Sequence, residues 1–363
     1  MDTIVREGWS TLPSRYYYGE DIYEQEKEKI FYRSWFCVAR AEEVAKPRDY
    51  VVRTVGDESM IIARDDTGAI NAFYNVCPHR GNRLCTEAAG TFRGGAVSCR
   101  YHAWTFAPDG KLIATPRMVE PAGFRKEEHS LYRAHVHEWE GFVFVSLAKT
   151  PPAFAPNLGH IAPYVPHYNI PNLRIAHTVS YELNTNWKLV IENFCECFHC
   201  PTVHPELCRI NPEFREGIIK QESTAGARFL DGGNSFSIDA KTNRPLISTV
   251  TDEDTGGFRS TSIYPNLLML LVPDHVMYYV LWPKGPAATT VEVKWLFEPA
   301  AMAGPGFDAS DTIAFMDMVN KQDWGITEDV QLAIRSRAHV QGFYSPQEHL
   351  PHKFNQWVLE QLA

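Results

Sequence analysis

The chain has no long apolar run. Its longest, "NLLMLLV" at 266 to 272, is far too short to cross a bilayer as a helix. Nor is there an excess of positive charge: 35 Lys and Arg stand against 44 Asp and Glu, a formal net charge of -9. That balance excludes the basic stripe of a nucleic-acid surface and the polybasic block of a lipid-docking one. The opening residues, "MDTIVREGWSTLPSR", lack the apolar stretch of a secretory signal. No G-x-G-x-x-G loop offers a dinucleotide site, no H-E-x-x-H helix offers a zinc-protease site, and no solenoid repeat is visible. These absences lead to the expectation of a cytoplasmic protein with neither a membrane nor a nucleic acid as partner. In such a chain the eight cysteines are expected to be metal ligands or free buried thiols rather than disulfides.

What is present has two textures. With 363 residues, two domains are expected. Residues 20 to 33, "EDIYEQEKEKIFYR", mix charge with apolar spacing and predict an amphipathic helix. From 36 to 148 the chain carries short β-type runs such as "DYVVRTV", "SMIIARD" and "GFVFVSL", separated by turn residues. That pattern predicts an all-β domain. A proline-rich linker opens the remainder, 149 to 363. There a strand at 175 to 184, a helix at 186 to 199, long β runs at 261 to 298 and a closing helix at about 309 to 338 predict an α+β domain, an antiparallel sheet with helices.

Two loops of the β domain carry metal-ligand chemistry. "CPHRGNRLC" supplies Cys77 and His79, and "CRYHAW" supplies Cys99 and His102. Two thiolates with two imidazoles suit a structural zinc, or a 2Fe-2S cluster whose outer iron carries the imidazoles. The loop pair closely resembles that of Rieske domains, which implies the cluster. Two details depart from the family pattern: the nineteen residues between His79 and Cys99 are slightly more than usual, and Ala103 stands where glycine is usual. The extra length includes "RGG" at 93 to 95, which reads as a hairpin tip. Cys85 is left over as a buried structural thiol.

The second domain offers another constellation. "NWKLVIENFCECFHCPTVHPEL" contains His199 and His204, five residues apart and therefore on different faces of an unbroken helix. Pro201 is expected to break the turn between them and let both imidazoles reach one ion. Glu192, Glu196 and His199 fall on one helical face by spacing. On the closing helix Ile313, Met316, Val319, Ile326, Val330 and Ile334 form an apolar stripe with Asp323 in its middle, whereas Asp311, Asp317, Glu328 and Asp329 fall outside it. A carboxylate on a buried face needs a partner or a metal, so Asp323 is the candidate third ligand. Two histidines and a carboxylate suit a non-haem Fe(II) site. A zinc hydrolase and a thiolate site drawn from Cys195, Cys197, Cys200 and Cys208 are the competing readings.

Taken together, both domains resemble the oxygenase component of Rieske non-haem iron oxygenases. The resemblance implies that Cys77, His79, Cys99 and His102 bind the cluster, and that His199, His204 and Asp323 bind the iron in a helix-grip domain. It implies that residues 1 to 35 pack on that domain and that subunits form a head-to-tail α3 homotrimer. It also implies that Glu196, where most relatives carry aspartate, bridges the cluster of one subunit and the iron of the next. Since the chain has no nicotinamide or flavin fingerprint, electrons from NAD(P)H are expected through a separate flavin reductase. The segment around His199 and His204 is similar to the branch that oxidises quaternary ammonium compounds such as glycine betaine, carnitine and stachydrine. That implies hydroxylation of an N-methyl group, with the cation held by aromatic faces drawn from Phe194, Phe198, Tyr278, Tyr279, Trp282 and Trp324. Hydroxylation or O-demethylation of an aromatic acid is the alternative within the family. A Rieske electron carrier without oxygenase activity is the alternative outside it.

Overall fold

The computed structural model describes residues 9–217, 226–230 and 232–363. Residues 1–8 of the expected N-terminal segment lie outside these. The chain divides into two compact units, Phe31–Phe154 and a second that joins the residues through Ile30 to Ala155–Ala363.

The first unit is all-β. Among the described residues its larger sheet has seven strands, with Phe36–Arg40 at one edge and Ala89–Thr91 at the other. Alternating or fully apolar runs explain the strands: Glu58–Arg64 buries Met60, Ile61, Ile62 and Ala63, and Phe142–Ser146 is buried throughout. A smaller sheet of Val97–Ser98, Thr105–Phe106 and Leu112–Ala114 packs its apolar residues with Phe73, Leu84, Phe92 and Trp104. "RGG" is not a hairpin tip. Arg93–Gly95 forms a 3-10 turn that carries the chain from the large sheet to the small one, and both Gly94 and Gly95 have positive φ.

The second unit is built on an antiparallel sheet with six strands among the described residues. Their order is Arg174–Leu183, Ala288–Phe297, His275–Gly285, Leu267–Val272, Gly257–Ile263 and Ala227–Arg228. Every residue of Leu267–Val272 is buried, which accounts for the longest apolar run in the sequence. The helices Trp187–Phe194, Ser310–Ala333 and His349–Leu362 belong to this unit. The last of these was not anticipated, because "HLPHKFNQWVLEQL" mixes its buried Phe354 and Val358 with polar residues and a proline. The N-terminal helix Glu20–Glu26, continued by a π-helical turn, docks here through Glu26. That carboxylate accepts the indole N–H of Trp187 at 2.8 Å and pairs with the fully buried Lys188.

Candidate metal centres

In the β unit both ligand pairs sit on loops leaving short strands. Cys77 follows Ile70–Tyr74, and Asn75 fixes the loop. Its side-chain oxygen accepts the backbone N–H groups of Leu84 and Cys85 at 3.0 and 2.9 Å, and its amide donates to the Cys85 carbonyl at 2.7 Å. Cys99 to His102 form the turn between Val97–Ser98 and Thr105–Phe106, closed by bonds from Ala103 N–H to the Cys99 carbonyl and from Cys99 N–H to the Trp104 carbonyl. Ala103 adopts φ 58, the left-handed conformation that glycine takes without a Cβ penalty.

These loops bring like donors together in pairs, Cys77 with Cys99 and His79 with His102. The His79 and His102 rings lie 4.6 Å apart, and His79 stacks on Trp104 at 4.6 Å. Cys77 and Cys99 are buried and free. Burial, with Cys99 alongside, pushes the Cys77 thiol up to about 11. Burial and the neighbouring His102 hold His79 below its ordinary value, in the neutral form a metal ligand needs. His102 Nδ1 is buried with no hydrogen-bond partner, a costly arrangement unless something else takes the lone pair. Cys85 is a buried, free thiol in the same apolar cluster as Cys77 and Cys99, and burial pushes it up to about 12.

In the second unit the helix containing Glu192 is shorter than expected. It runs Trp187–Phe194, capped by the Asn186 side chain, and the chain then leaves helical geometry before the short helices Cys200–Val203 and Pro205–Ile210. Pro201 therefore opens a helical turn instead of breaking one, and the breaks fall at 195–199 and at His204 (φ -123, ψ 67). Glu196 and His199 lie beyond the end of that helix, so no continuous helical face joins them to Glu192, although all three line one cavity. Glu192 accepts a hydrogen bond from Tyr17 at 2.7 Å, while Glu196 turns back on its own loop. There Glu196 accepts the backbone N–H groups of Phe198 and His199 and bonds His199 Nδ1 at 2.6 Å.

That bond turns His199 Nε2 towards Asp323 Oδ1, 3.3 Å away. His204 Nε2 reaches the same oxygen at 2.9 Å, and its Nδ1 is held by Gln322 at 2.8 Å. The two imidazole rings lie 5.2 Å apart at 75°. Burial alone would lower the His199 pKa, but Asp323 and Glu196 beside it push it up to about 10. Asp323 is held below its usual range because the hydrogen bonds and charges of His199 and His204 outweigh its burial. The pocket therefore favours a positive charge between the three side chains.

Above them lies a cavity of about 90 Å³ lined by Phe194, Phe214, Phe236, Phe258, Tyr279 and Asn320, among others. Of the six aromatics expected there, only Phe194 and Tyr279 line it. Phe198 is half exposed, Tyr278 and Trp282 are core residues, and Trp324 packs on Tyr181. Phe214, Phe236 and Phe258 take their place. Cys200 lies with the histidines, the three ligand atoms being within 4.8 Å of one another, but it is paired with Cys197. That disulfide corrects the expectation of free thiols, since the broken segment brings the two Cα atoms to 4.9 Å.

Residues 34–137 match the Rieske 2Fe-2S domain family and residues 170–363 the catalytic domain of the ring-hydroxylating alpha subunit. The chain belongs to the Rieske ring-hydroxylating oxygenases. It is 32% identical to the glycine betaine monooxygenase oxygenase subunit of Chromohalobacter salexigens, over 94% of this chain and 83% of that one. It is 26% identical to the chloroplastic choline monooxygenase of Beta vulgaris, over 97% and 77%. Among solved structures it superposes on a quaternary ammonium Rieske monooxygenase in complex with L-carnitine, with TM-score 0.76, 25% identity, and coverage of 98% and 96%. The naphthalene 1,2-dioxygenase of a Rhodococcus species shares the fold at TM-score 0.79 and 18% identity.

An oxygenase of this family carries a Rieske cluster and a mononuclear iron, and both donor sets fit those groups. An unpartnered buried nitrogen on His102, with His79 against it and two free buried thiols on the same two loops, suits an iron–sulfur cluster. Two imidazoles and a carboxylate on one point, in a cavity that favours positive charge, suit Fe(II). Sequence reasoning missed Asn75 and Gln322. Each is within two residues of a recognised ligand, and a polar side chain in that position is the available signal.

Proposed function

We propose that this oxygenase removes an N-methyl group from a quaternary ammonium compound. Cys77, His79, Cys99 and His102 hold the cluster, and His199, His204 and Asp323 hold the iron. The convergence of both Nε2 atoms on one Asp323 oxygen beneath an aromatic cavity carries this reading. The similarity to glycine betaine monooxygenase and to the carnitine-bound structure supports the substrate class.

Each residue has a task that follows from its contacts. Glu196 and Gln322 fix the rings of His199 and His204 from the far nitrogens, so that neither imidazole has to reorient. The faces of Phe194, Phe214, Phe236, Phe258 and Tyr279 offer π-density to a trimethylammonium head and keep water from it. Iron bound there, given electrons and dioxygen, supplies the oxidising power to convert N–CH3 to N–CH2OH. The hydroxymethyl group then leaves as formaldehyde, with a tertiary amine as co-product. Electrons come from NAD(P)H through a separate flavin reductase, in a cytoplasmic setting.

The same reading places three subunits head to tail, with Glu196 linking His199 of one subunit to the cluster ligand His102 of its neighbour. Glu196→Gln keeps the shape but loses the charge. The protein should keep its cluster and its iron while product formation falls steeply, about a hundredfold in analogy with the loss of other residues that orient metal ligands. The test is formaldehyde release from a panel of quaternary ammonium compounds and aromatic acids, with sedimentation to count subunits. Formaldehyde from ammonium substrates supports the proposal, and turnover confined to aromatic acids contradicts it.

A further inference from the structure

Besides a cavity that shares Asn193, Glu196 and His199 with the iron cavity, three cavities of the catalytic unit share walls in series. Phe194 and Ser260, which line the iron cavity, also line a second cavity of about 250 Å³. That one shares Asn157, Tyr264 and Lys353 with a third of about 360 Å³. The series continues from the histidines outward along the first turns of helix His349–Leu362, where Lys353 is exposed.

The cavities differ in charge. The lining of the iron cavity includes the carboxylates Glu196 and Asp323 beside the two histidines, and no Lys or Arg among the described residues. The second cavity has no carboxylate among its described lining residues. Its polar lining includes Ser260, His160, His349 and Lys353, with the Ser262 hydroxyl bonded to Cys195 and the Thr261 hydroxyl donating to the Asn157 carbonyl. Lys353 makes no ion pair or hydrogen bond among the described residues, so its ammonium is available to an incoming anion. Farther out, Tyr264 and Trp357 stand with ring centroids 5.0 Å apart near Glu360, a setting that suits a cation in transit.

We propose that the second cavity is an anion subsite in which Lys353 binds the carboxylate of an extended zwitterionic substrate whose trimethylammonium end lies past Phe194. This rests on the proposed demethylation and narrows it. Phe194 and Ser260 stand between the two cavities, so one molecule fills both only if several bonds separate its charged ends. Chain length therefore sets specificity. A zwitterion with a single methylene between its charges reaches one cavity only. A pure cation leaves Lys353 without a partner. The longer ω-trimethylammonio carboxylates satisfy both ends.

The test uses the iron-loaded enzyme without reductant, so that binding is read without turnover. Calorimetry on a homologous series of ω-trimethylammonio carboxylates, from one methylene upward, is compared with their primary amides. In the unmodified protein, affinity should rise as the chain lengthens, and a long acid should bind about tenfold more tightly than its amide, as expected for a charged hydrogen bond. Lys353→Gln should abolish that preference, and Lys353→Arg should keep it. Acid and amide binding alike in the unmodified protein, or an unchanged preference in Lys353→Gln, overturns the subsite while leaving demethylation standing. Failure of every trimethylammonium compound to bind overturns both readings together.

Discussion

At the scale of single residues, Asp323 was found by a stripe that is itself displaced. On Ser310–Ala333 the buried positions include Thr312, Met316, Val319, Asn320, Thr327 and Gln331, while Ile326 and Val330 are more than a third exposed. Apolar periodicity misplaces a helix face whose buried side is partly polar, because those side chains find hydrogen-bond partners that a sequence does not display. Tyr279 donates to Asn320 at 2.9 Å, for example, and Gln331 accepts from Asn186 N–H at 2.9 Å. Asp323 still emerged; of its candidate rivals Asp311 and Asp329 are exposed, while Asp317 and Glu328 are half-buried and accept hydrogen bonds from Tyr181 and Asn184. Ala103 is the opposite case, a departure visible in the sequence whose meaning needed the backbone. Ala103→Gly should relieve the positive φ and stabilise the loop by up to about 1 kcal/mol, less whatever glycine gains in the unfolded chain. Chemical denaturation of the cluster-loaded protein measures it. Asn75→Ala should act the other way. It strips partners from Leu84, Cys85 and the loop they anchor, costing about 1–3 kcal/mol for each buried group left unpaired. Faster bleaching of the cluster's visible absorbance under mild denaturant would show the same loss.

At the scale of elements, most strands were legible and most helix boundaries around the site were not. Asp49–Val55 is a strand over the residues its alternation marks. The helix beginning at Trp187 stops at Phe194 because Glu196 takes the N–H groups of Phe198 and His199, diverting them from a helical ladder. A side chain competing for backbone donors is a local event that hydrophobic spacing does not register. The docking of Glu20–Glu26 is equally hidden, since its key contact is a buried charge pair. Glu26→Ala leaves Lys188 buried and unpaired and should cost about 3–5 kcal/mol. Glu26→Leu with Lys188→Met should recover much of that in the same thermal melts. Glu192 gives this helix cluster a pH dependence. Burial pushes its carboxyl up to about 7, against the hydrogen bond from Tyr17 and the charge of Lys188. The fold therefore prefers the protonated form. Its stabilising contribution is complete below the ordinary carboxylate range and is lost as pH rises through about 7. Glu192→Gln should flatten the fall in Tm between pH 5 and 8, and an unaltered slope would remove Glu192 from the account.

At the scale of the whole molecule, the order of the two donor sets along the chain carried the identification, and composition contributed only exclusions. What the sequence could not give is which side chains meet above the iron. Phe214, Phe236 and Phe258 come from separate segments that only the folded chain brings to one cavity. The central claim is that the cluster which Cys77, His79, Cys99 and His102 would hold supplies the electrons used at the iron which His199, His204 and Asp323 would hold. It is tested most directly by reducing the protein, removing the reductant, and mixing it with dioxygen and an ammonium substrate while following the cluster's absorbance. Asp323→Ala, prepared in parallel, should lose one iron per chain and keep the cluster spectrum. The account predicts rapid reoxidation with formaldehyde release in the unmodified protein and a cluster that stays reduced in Asp323→Ala. Equal reoxidation rates and equal formaldehyde in the two proteins would contradict it.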